Sequence, residues 1–197
     1  ARPRRKTTPV IIETANVTGG GKLHARLRET SANVLPSQEP HWPATRVAAE
    51  AEATRRHGWD THFGAAAPSP LSAAGTNGGV AVSVAGGLRL RRIAELPVEV
   101  QWPPAHRFLI TVVNAVLKGG LAVASICAQV GLGHAGENVA RFEQVGQVLR
   151  SLARPFVIGG VFNMTADALL ASGWTNAVRA KIFQAPIDQP TFIGGQG

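Results

Sequence analysis

Arg154-Pro-Phe-Val-Ile-Gly-Gly-Val-Phe-Asn-Met-Thr165 is the stretch on which the reading of this chain turns. Pro155 opens a short apolar run, Phe156-Val157-Ile158, with the pattern of a strand buried on both faces. Gly159 and Gly160 let the backbone turn sharply or approach another group closely. Asn163 offers a carbonyl and an amide at the strand end, and Thr165 followed by Ala166-Asp167 has the chemistry of a helix start. Polar groups at the carboxyl end of a buried strand, just before a helix, are a common place for a site. The same residues also suit a core strand closed by a tight turn, and the stretch alone does not separate the two.

Beyond this stretch, the chain length of 197 residues suits one domain, and the 45% hydrophobic content with 16% charged residues excludes wholesale disorder. One Cys excludes a disulfide framework and any Cys-based zinc cluster. The net charge of +8 favours a polyanionic partner, bound weakly, without sequence preference and in a salt-dependent way. Residues 1–8 are a basic arm, expected to be solvated, and residues 9–197 form the domain. No signal peptide or membrane-spanning run is legible, so an intracellular, nuclear or cytoplasmic setting without membrane contact is expected. The absence of an initiating Met and the ending Phe192-Ile-Gly-Gly-Gln-Gly197 read as a fragment of something longer.

Before the opening stretch, strands are expected at 10–17, 33–39, 59–63 and 78–84, with helices at 22–30 and 45–57. Pro36 weakens the second strand as a central one, because proline cannot donate to a ladder. Residues 64–78 read as a small-residue loop, and 88–93 and 97–102 as weaker strands in which Arg89, Arg91 and Arg92 form a solvated face or meet phosphates. His106–Val113 and Gly120–Cys127 read as paired strands. A helix is expected over 137–152, with Val139, Phe142, Val145, Leu149 and Leu152 as its apolar stripe, and another over 166–171. Two glycine-rich motifs carry no nucleotide chemistry. Thr18-Gly-Gly-Gly-Lys22 lacks the Gly and Ser/Thr of a phosphate loop, since Asn16 and Leu23 stand there. Gly131-Leu-Gly-His-Ala-Gly136 lacks the downstream carboxylate of a dinucleotide site.

Gly160-Val-Phe-Asn163 resembles the Gly-Asp-Phe-Asn motif of the endonuclease/exonuclease/phosphatase family, metal-dependent enzymes that cleave phosphate esters. Asn16 at the end of the first strand, Gln38-Glu39 at the end of the second and Gly78-Gly-Val-Ala-Val82 resemble the same family. The resemblance implies a DNase I-like α/β sandwich of two mixed sheets flanked by helices, incomplete at the C-terminus. It implies Glu39 as ligand of Mg²⁺ or Mn²⁺, Asn16 and Asn163 as catalytic hydrogen-bonding groups, and nucleic acid or another phosphodiester as substrate. Cys127 and Gln129 stand where the family has a tyrosine and a histidine, and would face substrate. Read on its own, Cys127 is a buried structural thiol rather than a nucleophile, with no His placed to activate it. Val161 stands where the family has an aspartate, and no Asp-His ending follows. The expectation is therefore a nuclease-like hydrolase domain with weak or no activity, or a non-catalytic remnant of a mobile-element endonuclease that at most binds nucleic acid.

Overall fold

A computed structural model describes residues 9–70, 72, 75–93, 100, 102–114 and 117–183. Two four-stranded sheets face each other. The first has the order β1-β2-β6-β3, from β1 (Ala15–Asn16), β2 (Val34–Gln38), β3 (Asp60–Gly64) and β6 (Val80–Val84). The second has the order β10-β9-β8-β7, from β7 (Leu90–Arg91), β8 (Phe108–Val113), β9 (Leu121–Cys127) and β10 (Phe156–Val161). Only β1–β2 and β9–β10 run parallel within these sheets; the other neighbours are antiparallel. A separate short pair, β4 (Ala67–Pro68) and β5 (Thr76–Asn77), sits inside the stretch expected to be loop. Its residues give no apolar alternation, so backbone pairing there leaves no trace in the pattern.

Helices cover both outer faces. α1 (Gly20–Glu29) and α2 (Ala44–Arg56) flank the first sheet, where Leu23 and Leu27 pack with Leu35, Ala81, Trp42 and Trp59. α3 (Glu137–Leu152), α4 (Ala166–Ala171) and α5 (Trp174–Ala177) flank the second, where Phe142, Val145, Leu149 and Trp174 meet Ile110, Ala124 and Ile126. Thr165 caps α4 by accepting from the Ala168 amide at 3.2 Å. Alternation along the strands divides the layers: in β9, Ala122, Ala124 and Ile126 face the helices, whereas Val123 joins Val34, Val82 and Val84 between the sheets.

The space between the sheets changes character along the strands. At one end it is filled by Val34, Val84, Val113 and Leu121. Toward the other end Gln38 Nε2 donates to Ser125 Oγ at 2.9 Å, and Ser125 Oγ donates to the Ser37 carbonyl at 2.8 Å. Both partners are buried, so each bond satisfies a group that would be costly to leave unpaired.

Three strands differ from expectation, the first two for a physical reason. The first strand shrinks to Ala15–Asn16 plus an isolated bridge between Ile12 and Val34. Val34 and Gln38 bond residues 11–17 through their backbone, which points the Pro36 nitrogen to the same side. Pro36 has no N–H to offer there, and the ladder breaks. It pairs with Val82 on its other flank, so a central strand accommodates it. β10 is not buried on both faces: only Gly159 is buried, because β10 is the edge of its sheet among the described residues. The strand expected at 88–93 is limited to Leu90–Arg91. Most of the strand expected at 97–102, the arm 1–8 and most of the loop 182–197 lie outside the described residues.

Candidate functional site

β1, β2, β9 and β10 end together, and that shared end collects the polar side chains. Asn16 is paired with Gln38 in the β1–β2 ladder, one residue before Glu39. Glu39 leaves the strand with φ of 61°, a left-handed conformation uncommon for a residue with a side chain. Its backbone is fixed on both sides, the amide donating to the Gly79 carbonyl at 2.9 Å and the carbonyl accepting from Gly19 at 2.7 Å. Glu39 Oε1 in turn accepts a weak bond from Cys127 Sγ at 3.7 Å, across the gap between the sheets. Val161 is the ladder partner of Cys127. Asn163, also left-handed at φ 52°, donates from Nδ2 to the Ala128 carbonyl at 2.6 Å. Two left-handed non-glycine residues at one strand-end cluster are the kind of local strain that functional sites hold.

The structure thus brings Glu39, Cys127 and Val161 into contact or register, with Asn16 at the end of β1 and Asn163 just beyond the end of β10. Asn16 Oδ1 is engaged locally, accepting from the Thr18 amide at 3.2 Å. Cys127 is buried, and burial first, then the Glu39 carboxylate, pushes its pKa up despite Arg107 beside it. A thiol held protonated is a poor nucleophile. Gln129 is set back: Asn138, buried at the start of α3, accepts from its amide at 2.9 Å and donates to its carbonyl at 3.0 Å. The Gln129 side chain accepts from Arg141 at 3.4 Å.

Arg107 is a member that motif reading passed over. Its Nη1 contacts Cys127 Sγ at 3.5 Å, its Nη2 donates to Asn77 Oδ1 at 3.1 Å, and its Nε is buried with no hydrogen-bond partner among the described residues. Among the described residues no carboxylate pairs with it. A cavity of about 10 Å³, the size of one water, is lined by Arg107, Cys127, Asn138 and Arg141. His106 lies near the same charges: burial first, then Arg107 and Arg141, push its pKa down. The place of Arg107 beside Cys127 follows from the β8–β9 register. Extending the β8–β9 pairing by one residue, from Phe108 opposite Ile126, sets Arg107 opposite Cys127, and the Cys127 amide does donate to the Arg107 carbonyl at 2.8 Å.

As a metal centre the set is sparse. Glu39 supplies one hard carboxylate, and no group of three His, Cys, Asp or Glu residues able to hold an ion exists among the described residues. One carboxylate with carboxamides nearby suits a Mg²⁺-like ion that keeps most of its waters, not a protein cage.

Solved structures with this architecture span nucleases and phosphatases. The 3′ phosphatase NExo from Neisseria, bound to product DNA hairpin, superposes with a TM-score of 0.57 at 17% identity, over 87% of this chain and 70% of that one. An AP endonuclease from Archaeoglobus fulgidus gives 0.52 at 15% identity, over 87% and 70%. ANGEL2, a 2′,3′-cyclic phosphatase, gives 0.59 at 14% identity, over 85% of this chain and 56% of that one. No protein-family model and no curated protein matches the sequence. The fold is therefore the DNase I-like α/β sandwich of two mixed sheets flanked by helices that these structures share. No helix among the described residues is long and apolar enough to cross a membrane.

Proposed function

We propose that the strand-end site binds a phosphodiester, with nucleic acid as the substrate class, and that this chain hydrolyses it weakly or not at all. The observation that carries the reading is the β9–β10 register, in which Val161 lies opposite Cys127, the residue that contacts Glu39, where the resemblance calls for an aspartate. Valine can neither accept a hydrogen bond nor orient a base, and losing general-base help lowers rates by ~10²–10⁴. Arg107 would receive the phosphate, since a half-buried guanidinium without a carboxylate partner favours an anion. Asn163 and Asn16 would orient it from the ends of β10 and β1. Glu39 would hold Mg²⁺ or Mn²⁺, and the chemistry such an ion supplies when bound is neutralisation of charge on the leaving oxygen.

The test is cleavage of plasmid and oligonucleotide by the purified chain in Mg²⁺ or Mn²⁺. Little or no product is expected, with Val161→Asp restoring at most a trace until an Asp-His-bearing C-terminal segment is also supplied. Binding of oligonucleotide should fall on Arg107→Gln. Robust cleavage by the unmodified chain, lost on Glu39→Ala, would overturn the reading; its loss on His106→Ala as well would move the base role to His106. A purely non-catalytic remnant is the second reading, favoured by the same Val161 and by the sparse donor set, and is distinguished by Val161→Asp restoring nothing even with that segment present.

A further inference from the structure

The opposite pole of the sandwich carries a groove of about 490 Å³, within the size range of ligand sites, lined by Arg55, Gly58, Trp59, Asp60, Gly87 and Arg89. It lies where β3 begins and β6 ends, since Asp60 pairs with Val84, whereas Glu39 adjoins Gly79 just before β6 begins. Five residues of strand put the two places about 15 Å apart. The groove therefore belongs to none of the strand-end chemistry.

Its walls are fixed and its charge is unbalanced. Arg55 lies in the last turn of α2, and Gly58 accepts the left-handed φ of 83° that the turn after this helix needs. Arg89 sits on a pinned backbone: its carbonyl accepts from Asn114 at 3.0 Å, and the next amide, of Leu90, donates to Asp60 Oδ2 at 3.0 Å. Glu52 is shared by Arg55 and Arg56, which leaves one positive charge over. Arg89, Arg91 and Arg92 are exposed, with no ion pair among the described residues. Trp59 cannot serve as a stacking platform, because it is only 6% exposed and its indole N–H is committed to the Leu27 carbonyl at 2.9 Å. Asp60 at the base repels an anion that enters deeply. What remains is a rim of guanidinium groups without an aromatic face, which suits phosphates and not bases.

We propose that this groove is a second nucleic-acid contact, taking the phosphodiester backbone of a strand between Arg55 and Arg89 independently of the strand-end site. The experiment is fluorescence anisotropy of a short labelled DNA duplex with the full chain over a series of salt concentrations. Comparison proteins are Arg55→Gln/Arg89→Gln, each single variant, and Arg179→Gln/Lys181→Gln, which removes the same charge from exposed residues near α5. Circular dichroism confirms that each is folded. The groove double variant should bind about tenfold more weakly at low salt, with the slope of log K against log salt reduced by roughly two, one for each phosphate that an arginine no longer neutralises. The α5 variant should keep the parent slope. Equal weakening by both double variants would mean net charge alone and would overturn the site. So would an unchanged slope in the groove variant, or weaker binding of labelled polyglutamate by that variant with DNA binding unchanged.

Discussion

Substituting Gly160 by alanine tests how β10 is held against β9. In the ladder Gly160 lies opposite Ile126, and a Cβ added at Gly160 would stand 2.2 Å from the Ile126 carbonyl oxygen and 2.4 Å from its Cγ2. The carbonyl is part of the sheet and cannot rotate away, so the edge strand must shift outward. Overpacking of this kind costs about 1–3 kcal/mol, and in a chain of this size each kcal/mol moves the thermal midpoint by about 2–4 °C. The midpoint of Gly160→Ala should fall by about 5 °C, with oligonucleotide binding reduced as well because Val161 and Asn163 follow directly. Two glycines in α1 calibrate the measurement. At Gly21 an added Cβ meets nothing within 4 Å, so Gly21→Ala should gain about 0.5–1 kcal/mol of helix stability. At Gly20 the same atom would lie 2.0 Å from the Trp42 indole, and Gly20→Ala should destabilise. Differential scanning fluorimetry, checked by calorimetry, reads all three. Equal midpoints for Gly160→Ala and the parent, or shifts of the same sign at Gly21 and Gly160, would refute the close packing of β10 on β9.

The remaining expectations concern buried polar groups. Thr111 gives its hydroxyl proton to the Arg91 carbonyl at 2.9 Å, so its contact with His62 Nδ1 at 3.2 Å requires the imidazole proton on Nδ1. Burial, then Arg92, lowers the pKa of His62 against the pull of Asp60, so the unfolded chain binds the proton more readily. Stability should decline as pH falls below the ordinary histidine value of 6.5, and His62→Gln should flatten that part of a urea-midpoint profile. For Glu50, burial raises the pKa but His24 and Arg46 outweigh it, so its contribution should be lost only below its ordinary value of 4.5; Glu50→Gln should alter that acid limb alone. Asn138→Ala removes three bonds that hold residues 129–133 and should cost about 2–3 kcal/mol, with limited proteolysis beginning at that loop.

Much of the fold was legible because its elements carry strong local patterns. The apolar stripe of α3 and the Thr165 cap of α4 set their limits at Glu137–Leu152 and Ala166–Ala171, as the periodicity predicts. The strand-end positions of Asn16, Glu39 and Asn163 were also readable, since each lies near the end of a predicted strand with a turn or helix following. What was not legible depends on neighbours. β10 looks like a central strand because a Phe-Val-Ile run does not reveal how many strands lie beside it. The shortening of β1 depends on which flank the Pro36 nitrogen faces, a matter of register and not of composition. β4, β5 and the single turn of α5 are too short to show a period. Arg107 escaped notice because its importance rests on what it lacks, a carboxylate partner, and that is visible only once the sheets are assembled.

The division of the strands between the sheets has a kinetic consequence. Every strand of the first sheet comes from residues 15–84 and every strand of the second from residues 90–161, so each sheet is made by an unbroken half of the chain. Pairing within a half closes short loops, whereas the bonds from Gln38 to Ser125 and Gly159 span 87 and 121 residues. Loop closure favours the nearer contacts first. On a ribosome the amino-terminal sheet with α1 and α2 would be assembled while its counterpart was still being synthesised, and docking of the halves would come last. Glu39 belongs to one half and Cys127, Val161 and Asn163 to the other, so the contact of Glu39 with Cys127 has no existence in either half-product and comes into being only at the final step.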